Sequence, residues 1–164
     1  MSGIVPQAWP DLAGRLAGKV HVLPVRVYYE DTDFSGIVYH ANYLRFAERG
    51  RSDFLRLMGI NHNELFAGAE PLAFAVHRME IEFLKPARID DRLEVHTRYV
   101  RGAGARIEAV QKIYRLDAEK PPEEIWRAHV FAACIDGNGR ARRLPQAVVE
   151  ALALHLDEGA NHKR

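Results

Sequence analysis

Cysteine is nearly missing from this chain: Cys134 is the only one in 164 residues. A lone cysteine makes no internal disulfide, so the core must hold the fold, and a reducing compartment, the cytoplasm, is expected. Cys134 sits in the apolar run Val130, Phe131, Ala132, Ala133, Cys134, Ile135. That run reads as a buried strand, which favours packing over nucleophilic attack. Charge of one sign is also scarce. The formal net charge is +1 and the basic residues are scattered, which argues against a nucleic-acid binder held by bulk charge. No run is long and apolar enough to span a membrane. The first residues lack the basic-then-apolar order of a signal peptide. There is no glycine-rich phosphate loop, internal repeat or low-complexity tract. His21, His77, His96, His129 and Asp31 have no compact ligand spacing, so no metal is expected.

What remains is enough for one globular domain, with 48% hydrophobic residues. The expected division is an N-terminal extension over residues 1–19, one domain over 20–158 and a tail over 159–164. A short helix over 11–17 is conceivable, but a loosely held extension is the preferred reading. Residues 20–30 read as a strand by alternation, with Val25, Val27 and Tyr29 on the core side. Pro24 suits an edge or a strand start. Asp31-Thr32-Asp33-Phe34-Ser35-Gly36 then forms a loop. Residues 41–58 read as the one long helix, with Tyr43, Phe46, Gly50, Phe54 and Leu57 at helical spacing. Gly50 costs helix propensity and so marks a close backbone approach, while Gly59 suits the C-terminal stop. Four alternating segments follow, over 73–84, 93–99, 106–116 and 125–135, and Pro145 opens a last short helix. The fold class is therefore α+β. One helix cannot cover both faces of five strands, so the sheet is expected to curl around it and two chains to pair.

The densest chemistry is the run from Tyr28 to Tyr43, which places three acids, Glu30, Asp31 and Asp33, in the turn before the long helix. A helix N-terminus offers unpaired N–H groups and a partial positive charge. A carbonyl oxygen docked there is polarised as negative charge develops. A carboxylate on the preceding loop can attack that carbonyl or activate water. Such a site performs acyl transfer without metal, serine or cysteine.

These residues resemble the hotdog-fold thioesterases of the 4-hydroxybenzoyl-CoA thioesterase superfamily, and most closely the Tol–Pal-associated acyl-CoA thioesterases. The resemblance rests on residues 25–30, the Asp31-Thr32-Asp33 turn, Gly36, Val38-Tyr39-His40, Asn42-Tyr43, Glu48-Arg49, residues 76–85, Pro86-Ala87-Arg88 and Asp90-Asp91. It covers roughly residues 22 to 155. It implies a curved five-stranded antiparallel sheet wrapped around one long helix, and a homodimer or homotetramer with sites at the shared interface. It implies an acyl-CoA substrate, acyl carrier protein as a partner of some members, and no cofactor. By the same resemblance Asp33 is the catalytic carboxylate, the His40 N–H the oxyanion donor, and Tyr29 a residue in or beside the site. Phe34-Ser35 stand where many relatives carry small residues, and Ala105 where they often carry serine. Neither departure touches Asp33 or His40.

Each position also has a plainer role. Asp33 can be a turn or cap residue, His40 can pack at the helix start, and Tyr29 can pack in the core. Asp31 reads as a loop acceptor and Asn42 as a helix cap. Glu48, on the long helix, is the reserve catalytic carboxylate; otherwise it holds the loop. Lys85, Arg88, Arg101 and Arg106 are the candidates for the CoA phosphates, and each is as readily a solvated surface residue. Phe34, Tyr39 and Phe74 are bulky enough to shorten an acyl pocket, so short or compact acyl groups, including aromatic ones, are expected. The alternative function is an acyl-CoA or acyl-carrier-protein binding module with little turnover. A dehydratase or isomerase is disfavoured by the loop-borne Asp33.

Overall fold

The computed structural model describes residues 13–157 and Gly159. Residues 1–12 and 160–164, which hold most of the expected extension and tail, lie outside the described residues. Among the described residues six strands and three α-helices follow in order: β1 (Arg15–Ala17), β2 (Val20–Arg26), α1 (His40–Leu57), α2 (His62–Ala67), β3 (Leu72–Phe83), β4 (Arg92–Ala103), β5 (Arg106–Leu116), β6 (Glu123–Asp136) and α3 (Gln146–Ala153). The strands form one antiparallel sheet in the order β1-β2-β4-β5-β6-β3. The sheet carries α1 on one side, where Val95, Ile113, Trp126 and Val130 join Phe46, Ala47 and Phe54 in a single core. The expected α+β architecture is present, with six strands rather than five.

The sixth strand is β1, in the segment expected to be a loose extension. Gly18, at φ 63°, turns the chain so that Arg15 pairs with Val22 and Ala17 with Val20. A glycine at the first position of a two-residue loop is a hairpin signal. It was hidden because β1 is too short to show alternation. Pro24 lies beyond the stretch of β2 that β1 covers, and β2 is an outer strand there.

α1 buries Tyr43, Phe46, Ala47, Gly50 and Phe54, the spacing of one helical face. Its C-terminus closes as the pattern at Gly59 predicts. Gly59, at φ 81°, donates to the Arg56 carbonyl at 3.0 Å, and Ile60 donates to the Leu55 carbonyl at 2.9 Å. This double closure is a Schellman motif, and Ile60 is buried beneath it. α2 was not anticipated, although Asn61 accepts from the Asn63 N–H at 2.9 Å, an ordinary cap.

The sheet breaks strict alternation at three places, one of them where β5 shifts against β6 between Ile113 and Tyr114. The register of β3 against β6 shifts between Val76 and Arg78, so Phe74 before the bulge and Met79 and Ile81 after it all pack towards the core. β4 shifts between Tyr99 and Arg101 against β5. Among the described residues no helix is long and apolar enough to cross a membrane.

Candidate active site

The chain leaves β2 at Arg26 and enters a 3-10 turn over Tyr29–Asp31. The turn rotates Tyr29 out of the strand pattern, and Tyr29 is 83% exposed rather than on the core side. Asp31 is buried and structural. Its Oδ2 accepts from the Tyr28 N–H at 2.8 Å, and its carbonyl accepts from the Tyr39 N–H and from Asn42 Nδ2, both at 2.9 Å. Asn42 is thus a buried tie between helix and loop rather than a cap.

Residues 32–38 form a small hairpin, bridged from Thr32 to Val38, with Gly36 at φ 79° in its turn. Its outer side is held by the segment before β4. Ile37 bridges Arg88, Val38 N–H donates to the Ala87 carbonyl at 2.8 Å, and Ala87 N–H donates to the Tyr43 hydroxyl at 2.9 Å. Arg115, which the sequence did not single out, anchors this segment. It donates to the Pro86 carbonyl at 2.8 Å and pairs with Asp91 and Glu123.

Asp33 sits at the hairpin tip and is exposed. Its Oδ1 accepts from Ser35 Oγ at 2.5 Å and from the Ser35 N–H at 2.8 Å. These bonds hold its carboxyl below the usual carboxylate range, so it is ionised at neutral pH. His40 opens α1, its ring tilted on Tyr39 at 4.5 Å and edge-on to Phe83 at 6.4 Å. No side chain caps the helix, and the first turn holds no acid. Asn42 N–H returns to the Tyr39 carbonyl at 2.8 Å, while the His40 and Ala41 N–H groups make no bond among the described residues. Two free donors at a positive helix end, beside a loop carrying a carboxylate, form an uncapped anion site. Asp33, His40 and Tyr29 thus lie on one stretch of chain between β2 and the start of α1, and no hydrogen bond or ring contact joins their side chains.

The basic candidates divide. Arg88 is exposed beside the hairpin and its guanidinium has no partner among the described residues. Lys85 is paired with Glu123. Arg101 pairs with Glu108 at 3.7 Å, and Arg106 lies across the same β4–β5 turn. Nine residues of strand put Arg101 about 30 Å from the Asp33 corner of its own chain.

A cavity of about 150 Å³ lies elsewhere, between α1 and the sheet. Leu55, Phe74, Val76, Ile107 and Val130 line it, with Glu48, Arg51 and Ser52 on the helix side. Of the three aromatics expected to shorten an acyl pocket, only Phe74 lines it. Phe34 is wholly exposed at the hairpin tip and Tyr39 is 47% exposed, because the tight turn at Gly36 turns both outward. Glu48 does not hold the loop. It accepts from Ser52 Oγ at 2.5 Å on its own helix.

A family model described as the thioesterase-like superfamily matches residues 27–152. The acyl-CoA thioester hydrolase YbgC of Escherichia coli O6:H1 is 39% identical over 127 residues, 77% of this chain and 90% of that protein. A probable thioesterase from Bartonella henselae has a solved structure with TM-score 0.68 and 47% identity, over 77% of this chain and 99% of that one. A 4-hydroxybenzoyl-CoA thioesterase solved with 4-hydroxybenzoyl-CoA reaches TM-score 0.75 over 82% of this chain and 99% of that one. At 16% identity that is a likeness of fold.

Proposed function

This chain belongs to the thioesterase-like superfamily as an acyl-CoA thioester hydrolase of the hotdog fold, in the Tol–Pal-associated group, and from that premise we propose how and on what it acts. The substrate is a compact acyl-CoA, cleaved to free acid and CoA. The observation that carries the reading is the uncapped start of α1 beside an ionised Asp33. The thioester oxygen docks on the His40 and Ala41 N–H groups, which gain strength as the oxygen becomes an oxyanion. Asp33 supplies the attack, either on the carbonyl to form a mixed anhydride or by taking a proton from water. The thiolate leaves readily, so no strong general acid is required.

The 150 Å³ cavity supports a compact acyl group, since a void of that size holds one benzene ring. Glu48 stands eight residues into α1 from His40, about 12 Å along the axis. A compact acyl group cannot span that distance, so the cavity of one chain serves the Asp33 of a second copy. β3 is an unpaired edge of twelve residues, and the cavity residues Phe74 and Val76 lie on it. Pairing of two such edges makes the dimer. Arg88, free and beside the hairpin, is the first choice among the basic candidates for a CoA phosphate. Tyr29 lies in the same corner as a substrate contact. The buried lone Cys134 fits a reducing compartment such as the cytoplasm.

The test is steady-state thiol release by wild type and Asp33→Asn, with acyl-CoA binding measured separately. Asp33→Asn keeps the side chain's size and removes its charge, and turnover should fall about a hundredfold or more. A variant that binds acyl-CoA and still releases thiol at near the wild-type rate would rule Asp33 out and make Glu48 the next residue to replace.

A further inference from the structure

The carboxylate and the oxyanion donors of the proposed site belong to different elements. Asp33 rides on the hairpin over 32–38, while the His40 and Ala41 N–H groups are fixed in the first turn of α1. Their separation is therefore set by whatever ties the hairpin to the helix. Two neighbouring side chains on that same first turn do so, Asn42 and Tyr43, and both are buried. Consecutive helix residues point about 100° apart, so the pair grips two different stretches of chain.

Asn42 grips the chain that enters the hairpin. Its Nδ2 donates to the Asp31 carbonyl at 2.9 Å, two residues before Asp33. That carbonyl already accepts from the Tyr39 N–H, so the Asn42 bond is not needed to satisfy it; the bond orients the chain. Tyr43 grips the segment that flanks the hairpin on its outer side. Its hydroxyl accepts from the Ala87 N–H at 2.9 Å, the Ala87 carbonyl accepts from the Val38 N–H at 2.8 Å, and the Ile37 carbonyl accepts from the Asp33 N–H at 2.8 Å. Three hydrogen bonds thus lead from the helix to the backbone of Asp33. Arg115 holds the same segment to the sheet, so Tyr43 supplies its tie to α1. The Tyr43 ring lies parallel to Trp126 at 6.4 Å and edge-on to Phe83 at 5.7 Å, contacts that survive loss of the hydroxyl. Burial raises the Tyr43 pKa above its ordinary value, so the hydroxyl exchanges no proton near neutral pH.

We propose that Asn42 and Tyr43 are positioning residues of the hydrolase, a two-sided clamp that sets the reach of the Asp33 carboxylate to a carbonyl held at the start of α1. The inference rests on the reading of Asp33 as the attacking group. Misplacing a reacting group by about 1 Å costs about a hundredfold in rate, so two hydrogen bonds that touch no substrate control turnover.

The experiment measures kcat and KM for thiol release from butyryl-CoA, well below Tm, with Tyr43→Phe, Asn42→Ala and Asp33→Asn, alone and with each clamp variant combined with Asp33→Asn. Each clamp variant should lower kcat about tenfold or more and leave KM within about threefold. In the Asp33→Asn background either one should change the remaining rate by less than about threefold, because no carboxylate is left to position. The Tyr43→Phe loss should be the same at every assay pH; a loss confined to one limb of the profile would make the hydroxyl an acid or base and overturn the positioning role. Val95→Ala, which empties buried volume away from the hairpin, controls for lost stability and should keep kcat within about threefold. An equal fold-loss in the wild-type and Asp33→Asn backgrounds, or an equal loss in Val95→Ala, shows a merely structural role and overturns the inference. Unchanged kcat in both clamp variants beside an inactive Asp33→Asn overturns the clamp and leaves the Asp33 reading standing. An active Asp33→Asn, or a wild type that releases no thiol, overturns that reading and the inference with it. The two clamp variants act on separate bonds, so either one carries the test where the other fails to fold.

Discussion

Replacing Gly50 by alanine should destabilise the protein, although the same change in an exposed helix would stabilise it. Alanine gains about 1 kcal/mol of helix propensity over glycine. The added Cβ, however, would stand 2.9 Å from Thr97 Oγ1, 3.0 Å from Val95 Cγ1 and 3.4 Å from Gln111 Nε2. None of these can withdraw easily. Val95 is fully buried and stiff at its first side-chain torsion, and Thr97 is bonded to Gln111, whose amide also holds α1 at the Ala47 carbonyl. Overpacking of this kind costs about 1–3 kcal/mol, and a buried amide left without its partner adds about 1–3 kcal/mol. After the propensity gain, a net loss of about 1–5 kcal/mol remains. For a chain of this size that lowers Tm by roughly 2–4 °C per kcal/mol. Urea unfolding followed by circular dichroism, with wild type and variant at one protein concentration, measures it. A Gly50→Ala protein as stable as wild type would refute the close seating of α1 on β4.

Three further outcomes are expected. His21 is fully buried, bonded through Nε2 to Asp53 at 2.6 Å, and burial outweighs that bond to lower its pKa below 6.5. Its contribution is then whole above pH 6.5 and lost as pH falls through the folded value, so Tm should drop between pH 7 and 5, and less steeply in His21→Gln; equal slopes in both proteins would refute this. Burial pushes the Cys134 thiol up, and the side chain is inaccessible, so an aromatic disulfide reagent should label it only after denaturant is added; rapid labelling of the native protein would contradict the packing at β6. Sedimentation at micromolar concentration should give a dimer or a tetramer, and a monomer alone would break the shared-site reading.

The parts of the fold that were legible in the sequence are those in which one repeat persists. α1 shows its face over five buried positions, and β5 runs over Arg106–Leu116 as its alternation indicates. β1 was illegible because three residues carry no period. The bulge beside Arg78 was illegible because one extra residue changes which side chains face inward without changing composition. The placing of Asp33 on a loop just before the long helix was legible because Asp33 and His40 lie seven residues apart, on a local hairpin and the helix start that follows it. The network in which Arg51 donates to Gln111 and Gln111 to Thr97 spans 60 residues between Arg51 and Gln111. Its traces in the sequence are Thr97 and Gln111, each a polar residue among inward-facing apolar ones. Such a residue announces a buried partner without saying which.

The exposure of Asp33 bears on how the site gains its strength. Tyr29, Phe34, Tyr39, Phe83 and Ile89 are all exposed, and they belong to two segments that meet at the Ile37–Arg88 bridge. In one chain the helix start and the carboxylate therefore face water beside an uncovered aromatic surface. Two charges 4 Å apart interact by about 1 kcal/mol in water and by about 4 kcal/mol at the effective dielectric near a protein surface. The free N–H groups of α1 stabilise an oxyanion poorly until something apolar excludes water from them. A second copy laid over that aromatic surface would bring its own cavity to the thioester and supply the dry wall in the same step. On this reasoning turnover should follow the dimer population on dilution. A specific activity that stays constant through dissociation to monomers would show that one chain's corner suffices.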